Sequence, residues 1–207
     1  SSGTGAWSIS IWFYLENLPS ISRNIIDINQ GGSERFQMFF KNNDEINVSG
    51  AWTHSVPKAS FAFAADQWYN VIYMYDGNAA TPSNVRFALN GSNYFQASNK
   101  TWNQTDQTGS TTIGANNGGT SRFWDGYIDE VSIYDKYLTD AECVELYNGG
   151  TPTDLSAASF SANLQHWWRM GDPTGTGLYP TIPDAQGSIN MTMTNMVASN
   201  IQTTYVP

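Results

Sequence analysis

Three tryptophans, Trp52, Trp102 and Trp124, stand in polar, turn-like surroundings, unlike Trp12 and Trp68, which alternate with other residues along extended runs. Asn103, Gln104, Asp106, Asn116, Asn117 and Asp125 lie near two of them in sequence. That mixture suits a polyhydroxylated ligand: sugar C–H bonds stack on an indole face while amides and carboxylates fix the hydroxyls. Trp102, Trp124, Trp52, Asn103 and Asp125 are therefore the candidate ligand-binding residues, with core or rim packing as the competing role of each tryptophan. Hydrolytic chemistry has less to stand on. Glycoside cleavage needs two carboxylates facing one space. Asp44-Glu45 falls at a turn, and alternation along a strand sends Asp129 and Glu130 to opposite faces. His54 and His166 are the only histidines and give no Ser-His-Asp arrangement. A single cysteine, Cys143, excludes an internal disulfide and a Cys-based zinc cluster, and its place in a predicted helix marks it as a buried structural thiol. No catalytic residues are assigned, and the chain is expected not to be an enzyme.

Composition narrows the partners. Aromatic residues make up 14% of the 207-residue chain and charged residues only 13%, so solubility rests on Asn, Ser, Thr and Gly. Such a surface suits an extracellular or virion setting, where salt screens charge. A net charge of −9 argues against nucleic acid and anionic membranes, because phosphate neutralisation needs a basic stripe. It fits a cation such as Ca²⁺, which takes carboxylate and carbonyl oxygens. No apolar stretch is long enough to span a bilayer. The opening Ser1-Ser2-Gly3-Thr4-Gly5 and the absence of a visible signal peptide are expected of a processed or partial product.

The elements that must position these residues are strands. Trp7-Ser8-Ile9-Ser10-Ile11-Trp12-Phe13-Tyr14 alternates apolar with polar. Strands are likewise predicted at 24–28, 35–40, 45–48, 68–75, 85–89, 111–114, 126–134 and 164–170, with a further alternating run at 190–196. Asn90-Gly91 reads as a two-residue hairpin turn. One helix is expected: Thr139-Asp140-Ala141-Glu142 is a capping box, Leu138, Val144, Leu146 and Tyr147 supply an apolar face, and Gly149-Gly150 ends it. Short strands at regular spacing with one brief helix indicate a β-sandwich.

Several motifs together resemble the laminin-G-like, concanavalin-A-like jelly rolls, of the type appended to structural proteins of marine phages and bacteria. These are Trp7-Ser8-Ile9-Ser10-Ile11-Trp12, then Trp68-Tyr69-Asn70-Val71 through Asp76-Gly77, then Phe87-Ala88-Leu89-Asn90-Gly91. Most specific is Ile113-Gly114 followed by Phe123-Trp124-Asp125-Gly126-Tyr127-Ile128-Asp129-Glu130-Val131-Ser132-Ile133-Tyr134 and Leu138-Thr139-Asp140-Ala141-Glu142. The resemblance covers residues 7–150 and implies an all-β jelly roll of two antiparallel sheets with one short helix. One order differs: Trp168-Arg169-Met170-Gly171-Asp172 and Ile182-Pro183-Asp184-Ala185-Gln186-Gly187-Ser188 are similar to a segment that usually comes first in the family. A single domain over 1–207 is expected, with 1–150 as its body and 151–207 as a tail that completes the sheets, permuted or donated to a neighbour. The resemblance also implies a structural Ca²⁺ held by Asp129, Asp184 and Asp172, with turn-capping by these carboxylates as the alternative. The carboxylate motif of laminarinase-type relatives is absent. The expected function is a non-catalytic module recognising glycans or other polar polymers. A structural capsid-decorating or fibre subunit with protein partners is the alternative.

Overall fold

Alternation along the first strand, β1 (Trp7–Leu15), places Ile9, Ile11, Phe13 and Leu15 in one core, while Ser8, Ser10 and Trp12 face the other way. The same two-residue period runs through most of the computed structural model. It describes residues 5–29, 35–42, 45–49, 53–56, 61–77, 85–97, 110–116, 119–171, 179–203 and 207. After β1 come β2 (Arg23–Asn29), β3 (Arg35–Lys41), β4 (Glu45–Ser49) and β5 (Thr53–Val56). Then follow β6 (Gln67–Tyr75), β7 (Val85–Leu89), β8 (Asn93–Ala97), β9 (Thr111–Ile113) and β10 (Gly126–Tyr134). Helix α1 (Asp140–Tyr147), β11 (Leu164–Trp168) and the two-residue strands β12 (Thr181–Ile182) and β13 (Met191–Thr192) complete the order.

The strands form a six-stranded sheet, β11-β10-β1-β6-β7-β8, and a five-stranded sheet, β5-β4-β3-β2-β9, both antiparallel throughout. Their facing sides share one core in which Phe13, Tyr73 and Phe87 meet Ile26, Phe36, Met38 and Phe40. The fold is thus the expected jelly-roll sandwich. The Asn90-Gly91 turn takes both residues at positive φ, 49° and 74°, but the loop has a third residue, Ser92, since Leu89 pairs with Asn93.

The other side of the six-stranded sheet carries a second core. Ile72, Met74, Ala88 and Tyr134 pack there against Leu138, Cys143, Leu146, Phe160, Leu164 and Trp167. The small Ser8 and Ser10 let the chain approach closely and are fully used. The Ser8 hydroxyl donates to the Lys136 carbonyl and accepts from the Leu138 N–H, and Ser10 accepts from the Asn70 amide. Trp12 stacks on Tyr147 at 5.5 Å. The capping box at Thr139 is present with both of its hydrogen bonds. Val144, expected on the apolar face, is instead 53% exposed, because a helix this short buries only Cys143 and Leu146. The Cys143 thiol is buried beside the Met74 sulfur at 3.7 Å, and desolvation pushes its pKa up to about 12.

The tail joins at the edge. Residue 184 bridges Trp168 and the Ala185 N–H donates to the Trp167 carbonyl at 2.7 Å, covering the outer edge of β11. Of the alternating run 190–196, only Met191 and Thr192 are paired as strand, with β12. Alternation there lacks a neighbour to extend the ladder.

Candidate functional site

With α1 and residues 155–167 packed on the six-stranded sheet, the candidate face is the outer side of the five-stranded one. Register builds it in two rows. One runs Asn24, Phe39, Asn47, Ser55 across β2, β3, β4 and β5. The next runs Thr112, Asp27, Gln37, Ser49 across β9, β2, β3 and β4. A bulge at Ile25 puts both Ile25 and Ile26 into the core and so returns Asn24 to the outer side opposite Phe39.

A solvated outer face normally carries exposed Thr and Lys; here its polar side chains are buried. Asn24 is 0% exposed, Asp27 and Asn47 1%, and Gln37 5%. Most are linked. The Gln37 amide lies 3.5 Å from Asp27 Oδ2, Ser49 donates to Gln37 Oε1 at 3.4 Å, and Ser55 donates to Asn47 Oδ1 at 2.7 Å. Asn24 is the exception: neither its Oδ1 nor its Nδ2 has a partner. Its backbone N–H donates to the Arg122 carbonyl at 2.9 Å, and the Arg122 guanidinium lies over the Phe39 ring, 5.5 Å from its centroid. At the rim, an Arg23 guanidinium nitrogen donates to the Phe123 carbonyl. An aromatic ring, a guanidinium, an unpartnered amide and an Asp–Gln–Ser chain within one face are groups of the kind that can bind a hydroxyl-rich ligand.

Of the residues proposed from sequence, Trp124, Asp125, Asp129 and Asp184 are described. Trp52, Trp102, Asn103 and Asp172 lie outside the described residues. Trp124 turns inward: it meets Phe13 edge-on at 5.4 Å and its indole N–H donates to the Tyr127 carbonyl. Asp125 is exposed on the turn before β10. Asp129 and Asp184 both hold backbone at the junction of body and tail. Asp129 Oδ1 accepts from the Glu130 and Met170 N–H groups. Asp184 Oδ1 accepts from the N–H groups of Trp167, Gln186 and Gly187, and its Oδ2 takes the Ile189 N–H and pairs with His166 Nδ1 at 2.7 Å. These contacts hold Asp184 below the usual carboxylate range, against the opposing effect of desolvation, which is the largest influence on it. A carboxylate ringed by five donors has no lone pair left for a hard cation, so Asp184 does not fit a Ca²⁺ site. Among the described residues no three His, Cys, Asp or Glu side chains gather as a metal site.

Asp129 and Glu130 do not follow simple alternation either. A bulge sets Glu130 and Val131 against Ile11, with Glu130 at φ 50°. The Glu130 carboxylate accepts from the Trp167 indole N–H at 2.5 Å and meets Arg169 at 3.5 Å. Burial first, and then the Asp129 charge, push its pKa up to about 7. It borders a cavity of about 10 Å³, room for no more than a water. A larger cleft of about 1360 Å³ opens between β9 and the tail, but its walls are mostly apolar, including Ile28, Phe36, Ile113, Ile128 and Met191.

Comparison with known proteins agrees with this architecture. The family model described as the concanavalin A-like lectin/glucanases superfamily matches residues 1–143. The chain belongs to that family. No curated protein sequence matches it. Among solved structures, a candidate carbohydrate binding protein from Bacteroides ovatus superposes with a TM-score of 0.64 at 16% identity, over 93% of this chain and 52% of that one. The present lectin/glucanase-family chain thus spans about half the length of that relative. Domain 4 of AbnA, a GH43 extracellular arabinanase from Geobacillus stearothermophilus in complex with arabinotriose, gives 0.56 at 19% identity, over 71% and 68% of the two chains. The CBM40 of the Ruminococcus gnavus IT-sialidase, bound to α2,3-sialyllactose, gives 0.54 at 14% identity, over 70% and 84%. At these identities the likeness is one of fold.

Sequence reading missed Asn24, Asp27, Gln37, Phe39, Asn47 and Arg122. The available signal was the choice of Asp, Gln and Asn at the outward positions of β2, β3 and β4, where an exposed strand face favours Thr and disfavours Asp and Asn.

Proposed function

We propose that this chain is a non-catalytic glycan-binding module whose ligand lies on the outer face of the five-stranded sheet. The observation that carries the reading is Asn24. A buried amide left unpaired costs about 1–3 kcal/mol, and a ligand hydroxyl reaching it beside the Arg122–Phe39 pair would supply the missing partner. Two structural neighbours bind oligosaccharides, arabinotriose and sialyllactose, which supports the same ligand class here. The setting we propose is extracellular or on a virion surface. The extracellular arabinanase among the neighbours and a surface solubilised by neutral polar groups support it.

The test is glycan-array and calorimetric binding of the chain and two variants. Asn24→Leu removes the unpaired amide, so it should raise the melting temperature while abolishing binding. Phe39→Ala should weaken binding with a folded far-UV spectrum retained. Full glycan binding by Asn24→Leu would remove this face from the function. A second reading, a structural subunit with protein partners, is supported by the apolar tail residues Ile189, Met196 and Val197, exposed by 56%, 44% and 57%. It requires a stable oligomer or partner complex that Ile189→Ser breaks in light scattering.

A further inference from the structure

We infer that the ligand of this face is an acidic glycan, a sugar bearing carboxylate or sulfate groups, engaged by the guanidinium of Arg122. The inference rests on the glycan reading above and narrows it. It comes from where the cations stand. Six of the Lys and Arg side chains are described: Arg23, Lys41, Arg86, Arg122, Lys136 and Arg169. Arg86 pairs with Asp140, Lys136 with Glu142 and Arg169 with Glu130, all around α1 and the end of β11 on the six-stranded-sheet side. Arg23, Lys41 and Arg122 make no ion pair among the described residues, and all three belong to the five-stranded sheet or touch it. Acidic residues outnumber basic ones by 18 to 9 in the whole chain, so a guanidinium placed at random would readily find a carboxylate. Register pairs Arg23 with the core residue Phe40, so Lys41, in line with Phe39 on β3, and Arg122, over the Phe39 ring, are the unpaired cations of the outer face, and they mark it as the place where negative charge is welcomed.

Arg122 is the cation best placed to meet a ligand. Its side chain is exposed, its carbonyl holds the Asn24 backbone, and Phe39 supports its guanidinium from one side. Stacked in this way, a guanidinium keeps its N–H edges available and offers a planar fork to two oxygens of one anionic group. The acids nearby do not cancel it. Asp27 is buried in the neighbouring row with Gln37 beside it, and Glu45 stands opposite Lys41. Asp125 is exposed in the bend before β10 and pairs with no described cation. A sugar ring could thus place its anionic group on Arg122 and a hydroxyl on the Asn24 amide.

Calorimetry against alginate and polygalacturonate oligosaccharides, carrageenan oligosaccharides and neutral arabino-oligosaccharides, each at low and high salt, tests this. The expected result is at least about tenfold tighter binding of the acidic ligands, weakened by salt, with that preference removed by Arg122→Gln at an unchanged melting temperature. Binding confined to the first pair names a carboxylate as the partner, and binding confined to carrageenan names a sulfate; either supports the inference. Equal affinity for neutral and acidic ligands, with Arg122→Gln silent and Asn24→Leu inactive, overturns the acidic ligand and leaves the glycan site standing. Loss of no ligand in any of the three variants, Phe39→Ala included, overturns both.

Discussion

Replacing Glu130 by Gln isolates the one carboxylate among the described residues whose ionisation the fold opposes. Its side chain is 8% exposed, and burial with the nearby Asp129 charge pushes its pKa from 4.5 to about 7. The folded-state pKa lies above the unfolded one, so the folded chain holds the extra proton. The resulting stability is fully present below about pH 4.5 and is lost as pH rises through 7. A displacement of that size corresponds to about 3 kcal/mol between mild acid and pH 8. Gln keeps an acceptor for the Trp167 indole N–H and fills the same space without the charge. The variant should match the parent near pH 5 and exceed it by about 2–3 kcal/mol at pH 8, once the lost Arg169 contact is allowed for. For a chain of this length that is roughly 5–10 °C in melting temperature. Urea unfolding followed by tryptophan fluorescence at pH 5, 6, 7 and 8 measures it, and the difference between variant and parent cancels every other titrating group. A constant difference across that range, or a variant less stable at pH 8, would refute the account of Glu130.

Other perturbations follow from the same contacts. Asp184→Ala removes the acceptor for five donors at the edge of β11, so the tail should become sensitive to limited proteolysis near residues 185–190, with about 2–4 kcal/mol lost. Because this carboxyl is held below its unfolded value of 3.8, its contribution is present above that pH and lost as pH falls through the folded value, so strong acid should loosen the tail in the parent as well. EDTA should leave the melting temperature unchanged, since Asp184 is filled by donors; a drop of several degrees would restore a Ca²⁺ site built on Asp129. Gly126→Ala would set a Cβ 2.2 Å from the Tyr14 carbonyl oxygen at φ 137°, so β1 and β10 must part and more than about 3 kcal/mol should be lost in denaturant melts. Thr139→Ala removes the capping box and should cost about 1 kcal/mol.

The strands and the helix were legible because their signals are local. Ile9, Ile11, Phe13 and Leu15 alternate with residues the other face can use, and Thr139 with Glu142 caps a helix whatever surrounds it. The bulges at Ile25 and Glu130 were not legible, since an extra residue in a ladder depends on the partner strand rather than on the residue itself. The binding face was hidden for the same reason. Asn24, Phe39 and Asn47 are brought into one row only by register, and nothing in their own neighbourhoods joins them. Trp124 misled in the opposite direction: polar neighbours suggested an exposed ring, yet Phe13 and the Tyr127 carbonyl draw it into the domain.

The two sheets of this sandwich solve the problem of their outer faces differently, and that difference supports the proposed binding face. On the six-stranded sheet, Ser8 and Ser10 are small and bonded and the Asn70 amide N–H donates to Ser10, leaving only its Oδ1 unpartnered there, so α1 and Phe160 can lie on Ile72 and Met74 and bury an apolar layer. Every described cation on that side is neutralised by an acid, and the buried Glu130 is tied to Trp167. On the five-stranded sheet no helix among the described residues covers the outer rows, yet Asp27, Gln37 and Asn47 are as buried as core residues, Asn24 has no partner, and Lys41 and Arg122 have no acid among the described residues. Stability alone would replace Asn24 with an aliphatic residue, because matched apolar packing avoids the desolvation of an unpaired amide. On the reading proposed above, the unsatisfied Asn24 amide beside the supported Arg122 guanidinium is completed by a ligand from outside the chain.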